Sequence, residues 1–424
     1  MAEYADREHF IPFTRSKIVD MLLHDGQLKK EEMEKFGAFV TIANALYHFQ
    51  FHEHLEKCKS SYVPFNPDTN YKPEPDEYSK MPELEREFLD NLDEVLKSGN
   101  FVRINAEEMK NAMEGEGLFP ISLDIDFDLF EWFRVYYQGK SVGEETVSHE
   151  IIPLLKRKVK FDYFERIVLI IKYREEEYYK KRKIKIDARP GKIYLKYLKG
   201  IPCADLEMVF PNSTPRMKTF HKVQIAVPVL TCIGTLFYQY GLTPILYHTQ
   251  FLYNHVWEKI TLFDNAPSLD LKGTVLGIIA LFGTYALKAY SGYKQTVQNF
   301  MNEITTSLYF KNLVSNQGVF TSVVDKAEEE EVKEVLLAYY FLYTTQRKLT
   351  EPELDDMIEE WFEKKHSTKL DFEVDDALRK LEELGLLKKE EKDGKVYLGV
   401  KNLDEACERL DYIWDNFFQY NKGD

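Results

Sequence analysis

Cysteine is scarce in this 424-residue sequence: Cys58, Cys203, Cys232 and Cys407 lie far apart, and none belongs to a Cys-x-x-Cys pair. Such spacing suggests neither a disulfide framework nor a zinc site, and a reducing environment fits it. Basic charge is also short, with 56 Lys and Arg against 71 Asp and Glu, a net charge of -15. An acidic surface repels phosphate backbones, so nucleic acid is excluded as a general partner. The opening residues Met1-Ala2-Glu3-Tyr4-Ala5-Asp6 hold no apolar signal core and no Arg/Ser-rich transit segment, so any membrane insertion is expected to use internal segments. No Gly-x-Gly-x-x-Gly, no P-loop and no Gly-x-Ser-x-Gly elbow occurs, so no cofactor is expected and no reaction is announced.

Long hydrophobic runs are few, in keeping with a mean hydropathy of -0.41. Val223 to Leu246 carries no formal charge, and Gly273 to Leu287 carries none before Lys288. Since a helix needs ~20 apolar residues to cross a bilayer, the two runs are expected to form a transmembrane hairpin, 223–246 and 273–290. The competing reading is a buried helical hairpin, because Pro228, Pro244, Gln224 and Gln239 dilute the first run. Arg216, Lys218 and Lys222 before the hairpin, set against Lys259 and Lys272 in its connection, put both termini in the cytoplasm.

Three regions result. Residues 1–215 read as an α+β soluble domain, with helices from Thr14 to Lys59, a Pro/Asn/Asp-rich loop from Pro64 to Pro82, and strand-like runs at Ile121–Tyr137, Phe164–Tyr173 and Lys192–Tyr197. Residues 216–300 hold the two-helix transmembrane hairpin. Residues 301–424 hold a helical linker and a winged-helix-like domain: helices at Glu329–Tyr343, Glu351–Lys365 and Val374–Leu384, a hairpin turning at Asp393-Gly394, and a helix at Leu403–Phe418. From Asp325 onward 16 basic residues face 28 acidic ones. DNA readout by the winged helix is thereby disfavoured, and protein partners through this acidic domain are favoured.

The chemistry-bearing clusters are modest. Lys180, Lys181, Arg182 and Lys183 lie in a basic stretch, Lys172 to Lys199, interleaved with tyrosines, a composition suited to anionic lipid headgroups. Asp124, Asp126 and Asp128 alternate as on one strand face and could collect a hard cation, although the glycine of an EF-hand loop is missing. His48 and His52 are one helical turn apart, a spacing that can ligate zinc, but without His-Glu-x-x-His order. Solvated or core positions are the simpler reading of both groups.

Several segments together resemble the family that includes transmembrane protein 143, whose defining domain is one of unknown function. They are Arg7-Glu8-His9-Phe10-Ile11-Pro12-Phe13, Phe49-Gln50-Phe51-His52, Tyr62-Val63-Pro64-Phe65-Asn66-Pro67-Asp68, Asp205 to Asn212, Ser307 to Leu313 and Lys333 to Tyr340. The resemblance implies a multi-pass membrane protein with a paired span, with a mitochondrial membrane as the alternative address, and no established reaction. The expectation is therefore a membrane-anchored interaction or scaffold protein, contacting the lipid bilayer and open to homo-oligomer formation. The alternative is a membrane-associated enzyme with an acidic or metal site.

Overall fold

The computed structural model describes residues 10–71, 74–113, 122–148, 156–216, 271–345 and 347–418, with single positions between 226 and 237. The chain divides into two compact units: Met1–Glu116, Phe127–Leu206 and Lys311–Asp424 make the first, and Gly117–Asp126 with Glu207–Phe310 the second.

Helices α1 (Arg15–Leu23), α2 (Lys30–Tyr62) and α3 (Met81–Ser98) open the first unit. Thr14 caps α1 through its side chain, and α2 turns Phe36, Phe39, Val40, Ala43, Leu46 and Tyr47 inward at helical spacing. Strand β1 (Val102–Arg103) and helix α4 (Ala106–Met113) follow. Strands β3 (Phe130–Ser148) and β4 (Lys156–Tyr173) then pair as a long antiparallel ladder from Phe130↔Tyr173 to Ser148↔Lys156. A short helix α5 (Glu176–Arg182) precedes β5 (Ile193–Pro202), and β7 (Asn312–Ser315) joins the far edge, giving the sheet order β1-β3-β4-β5-β7. Ile167 to Ile171 of β4 are all buried, so this central strand reads as an unbroken apolar run with both faces covered.

Helix α7 (Gln317–Thr344), which follows helix α6 (Leu271–Lys311) of the second unit, is the centre of the first unit and packs against α1, α2 and α3. It also packs against α8 (Glu351–His366) and α9 (Val374–Glu383). Val332 to Leu342 are buried without a break, so α7 is enclosed on every side. Asn316 sets its angle of entry at φ 52°: its backbone N–H donates to Leu195 O (2.8 Å), and its side-chain N–H donates to Asp68 (2.9 Å). Strands β8 (Leu387–Lys392) and β9 (Lys395–Val400) form the hairpin, with Asp393 at φ 52° and Gly394 at φ 73°, the primed turn that matches strand twist. Helix α10 (Leu403–Asp415), capped by Asn402, closes the unit along α2.

The second unit contains β2 (Ser122–Asp124), antiparallel to β6 (Thr214–Arg216), and the 41-residue α6. Here the transmembrane hairpin is overturned: among the described residues no helix is long and apolar enough to cross a membrane. The charge-free part of α6, Gly273 to Leu287, is 15 residues, roughly 22 Å of helix against a hydrocarbon thickness of about 30 Å. Lys288, Lys294, Gln295, Gln298 and Asn299 follow at once. The first expected span, 223–246, lies almost wholly outside the described residues. The multi-pass membrane assignment and its two-cytoplasmic-termini topology fall with the hairpin. A second expectation also changes: 121–137 is not one strand, because a 3-10 turn at Phe127–Leu129 separates β2 from β3.

Candidate functional site

Charge lies inside the first unit. On α9, Lys380 is 2% exposed, and its ammonium donates to Glu334, to Glu331 (2.8 Å) and to Asp376 (2.6 Å). Burial pulls this lysine's pKa down, but the carboxylates of Glu334, Glu331 and Asp376 outweigh it and hold the pKa above the ordinary value. Burial pushes Glu334 up to about 7, against the opposing pull of Lys380. The other Glu334 oxygen accepts from Asn100 (3.0 Å). Directly before Glu334 on α7, Lys333 donates to Glu330 (2.6 Å) and to the carbonyls of Ile11 (2.7 Å) and Phe13 (3.0 Å). Glu330 accepts the Ile11 N–H (3.2 Å), and burial raises its pKa. These two clusters satisfy themselves, so they pin elements together and leave no group free for chemistry.

Next to them lies a cleft of about 430 Å³ lined by Thr14, Arg15, Ser16, His48, Asp325, Glu328 and Glu329. Glu328 accepts from Arg15 (2.9 Å) and is bonded to His48 Nδ1 (2.9 Å); Glu329 is bonded to Lys326 and to the Arg15 N–H. Burial, reinforced by Glu328, raises the pKa of Asp325. The Thr14 and Ser16 hydroxyls face each other at 3.2 Å, and neither is bonded to the imidazole, so no nucleophile-and-base pair is assembled.

The residues singled out from sequence do not converge. His48 is committed to Glu328, and His52 is exposed on α2. Asp124 stands on β2 and Asp126 just beyond it in the second unit, whereas Asp128 sits in the 3-10 turn of the first, 3.8 Å from Arg182. Among the described residues no group of three His, Cys, Asp or Glu side chains is arranged to hold a metal ion. In the basic stretch, Lys180 pairs with Glu176 (2.9 Å), Lys181 with Glu177 (3.9 Å), and Arg182 lies over the Tyr178 ring; Lys183 is the left-handed cap of α5. Intrahelical carboxylates thus offset much of the positive charge.

Sequence reasoning missed an aromatic cap where α2 meets the end of α10. Lys35 pairs with Asp404 (2.6 Å) near the start of both helices, so the two run side by side in the same direction. Fourteen residues on, Phe49 receives the edges of Phe417 (centroids 4.7 Å), Phe418 (5.1 Å) and Trp414 (6.3 Å). Yet Tyr412 is 60%, Trp414 45% and Phe418 70% exposed. A signal was available: Phe49 lies off the apolar stripe of α2, and Trp414-Asp415-Asn416-Phe417-Phe418 places three rings where an amphipathic helix ends.

A family described as "Protein of unknown function (DUF3754)" matches residues 164–318, so this stretch carries a domain of unknown function. The match runs from within β4 to the start of α7 and indicates no activity. It leaves the cleft and the aromatic cap outside its bounds. No solved structure matches the chain.

Proposed function

We propose that this protein acts as an interaction or scaffold protein, binding another protein through the aromatic cap of α2 and α10. The reading is carried by one observation: Tyr412, Trp414 and Phe418 remain exposed while Trp414 and Phe418 pack edge-on against Phe49, so the rings are held in place without being buried. Aromatic side chains in such positions dominate the energetics of protein interfaces, because they bury large area at little rotamer cost. Neither the cleft nor the buried clusters offers a competing chemistry. The resemblance to the transmembrane protein 143 family rests on short segments and brings no activity with it.

A photo-crosslinking amino acid at position 418 in the full chain, expressed in cells, tests the proposal. The expected result is a discrete protein adduct that disappears when Trp414→Ala is added. Position 78, whose tyrosine is 62% exposed elsewhere on the unit, serves as control and should give none. Equal adducts from both positions, or none from 418, would overturn it.

A further inference from the structure

Building on that reading, we infer that the partner presents a basic amphipathic helix to the exposed face of α10 beside the aromatic cap. The charges around the cap carry the argument. Glu408, Asp411 and Asp415 are exposed on α10 and make no hydrogen bond or ion pair among the described residues. Their spacing of three and four residues sets them in one stripe along the helix, between Trp414 on one flank and Tyr412 on the other. Three of the nearby cations are already engaged. Lys35 holds Asp404, Lys388 holds Glu405 (3.1 Å), and Arg409 donates to Leu384 O (3.2 Å) and lies over the Tyr412 ring. What faces solvent is therefore aromatic and negative.

A helix suits this surface because its own side chains recur at three and four residues, so lysines or arginines one turn apart meet the acid stripe in register. Its apolar face then covers Trp414 and Phe418, and desolvation strengthens the charge pairs at the rim. The 13 residues of α10 give roughly 20 Å of track, nearly four turns. The same stripe repels anionic headgroups and phosphate backbones, which sets a protein partner above lipid or nucleic acid.

The test uses the full chain and two fluorescent designed helices, one of Leu and Lys in amphipathic order and one with Glu in place of Lys, read by anisotropy at physiological ionic strength. The native chain should bind the basic helix and not the acidic one. The Glu408→Lys, Asp411→Lys, Asp415→Lys variant should lose about tenfold or more in affinity for the basic helix and gain the acidic one. Glu83→Lys, Glu87→Lys, Asp90→Lys on α3 makes the same change in net charge away from the cap and should bind as the native chain does. Trp414→Ala should also weaken the basic helix about tenfold while retaining the native circular dichroism.

Equal weakening by the α3 variant, or equal binding of both helices, overturns the inference. Three crosslinking outcomes at position 418 separate it from the reading beneath it. A captured partner without a basic helix sinks the inference alone, as does an adduct with a second copy of this chain. No adduct together with no helix binding sinks both.

Discussion

The α7/α9 seam and the α2/α10 cap invert the ordinary partition of residues in opposite senses. At the seam and in the Lys333–Glu330 cluster beside it, five charged side chains, Glu330, Glu331, Lys333, Glu334 and Lys380, lie in the interior; at the cap, three aromatic rings are exposed. Every carboxylate and ammonium at the seam has a partner within the unit, whereas Trp414 and Phe418 cover only part of their surface by packing on Phe49. The contrast teaches where to look for function in this fold. A satisfied inversion locks the structure, and an unsatisfied one is left for another molecule.

The comparison breaks most readily at Lys380. Replacing it with Met leaves Glu331 and Glu334 buried without their cation and should cost about 4 kcal/mol in urea unfolding. Adding Glu331→Gln and Glu334→Gln should recover much of that loss; a cost under ~1 kcal/mol would show that the seam is not a lock.

The seam should also respond to pH. Glu334 ionises near 4.5 when free and at about 7 in the folded chain, so between these values the folded state holds a proton that the unfolded state has released. Its contribution therefore falls as pH rises from about 4.5 to about 7, by on the order of 3 kcal/mol. Glu334→Gln should flatten that part of the stability profile relative to the native chain. An unchanged slope would mean that Glu334 stays ionised beside Lys380 throughout.

Somewhat smaller is Lys333→Met, which strands Glu330 and the carbonyls of Ile11 and Phe13 and should cost roughly 3 kcal/mol. Hydrogen exchange should then quicken at Ile11, whose amide donates to Glu330. At the cap the expectation reverses, with Trp414→Ala lowering stability by only ~1 kcal/mol or less while abolishing partner capture. A loss of several kcal/mol would make the cap a structural element after all. The smallest effect belongs to α5, where Gln at Lys180, Lys181, Arg182 and Lys183 should change stability by about 0.5 kcal/mol, as exposed pairs do.

What the sequence disclosed was local. Thr350 and Glu353 form the capping box of α8, Asp393-Gly394 turns the hairpin, and Gly385, at φ 66°, stands just past α9; all three act within a few residues. The enclosure of α7 was illegible because its neighbours come from both ends of the chain, and a run of glutamates in one helix does not disclose the lysines that pair with them. The Asp124, Asp126, Asp128 alternation was a false strand, since local periodicity does not disclose the turn at Phe127–Leu129. The membrane hairpin was inferred from missing charge, whereas the 15 residues between Lys272 and Lys288 fall short of a crossing. Of the candidate site, Phe49 was given no role beyond its helix and the family resemblance, because nothing in its own helix shows that α10 delivers rings to it.

The central position of α7 also bears on synthesis. Helices α1 to α3 bury their apolar faces largely against a helix that ends at Thr344, roughly 250 residues after Ser98. At ribosomal rates of about 5–20 residues per second, Phe36, Phe39, Phe88 and Leu92 wait some ten to fifty seconds for the helix that covers them. The apolar faces of α1 to α3 therefore stay uncovered during synthesis until α7 has emerged.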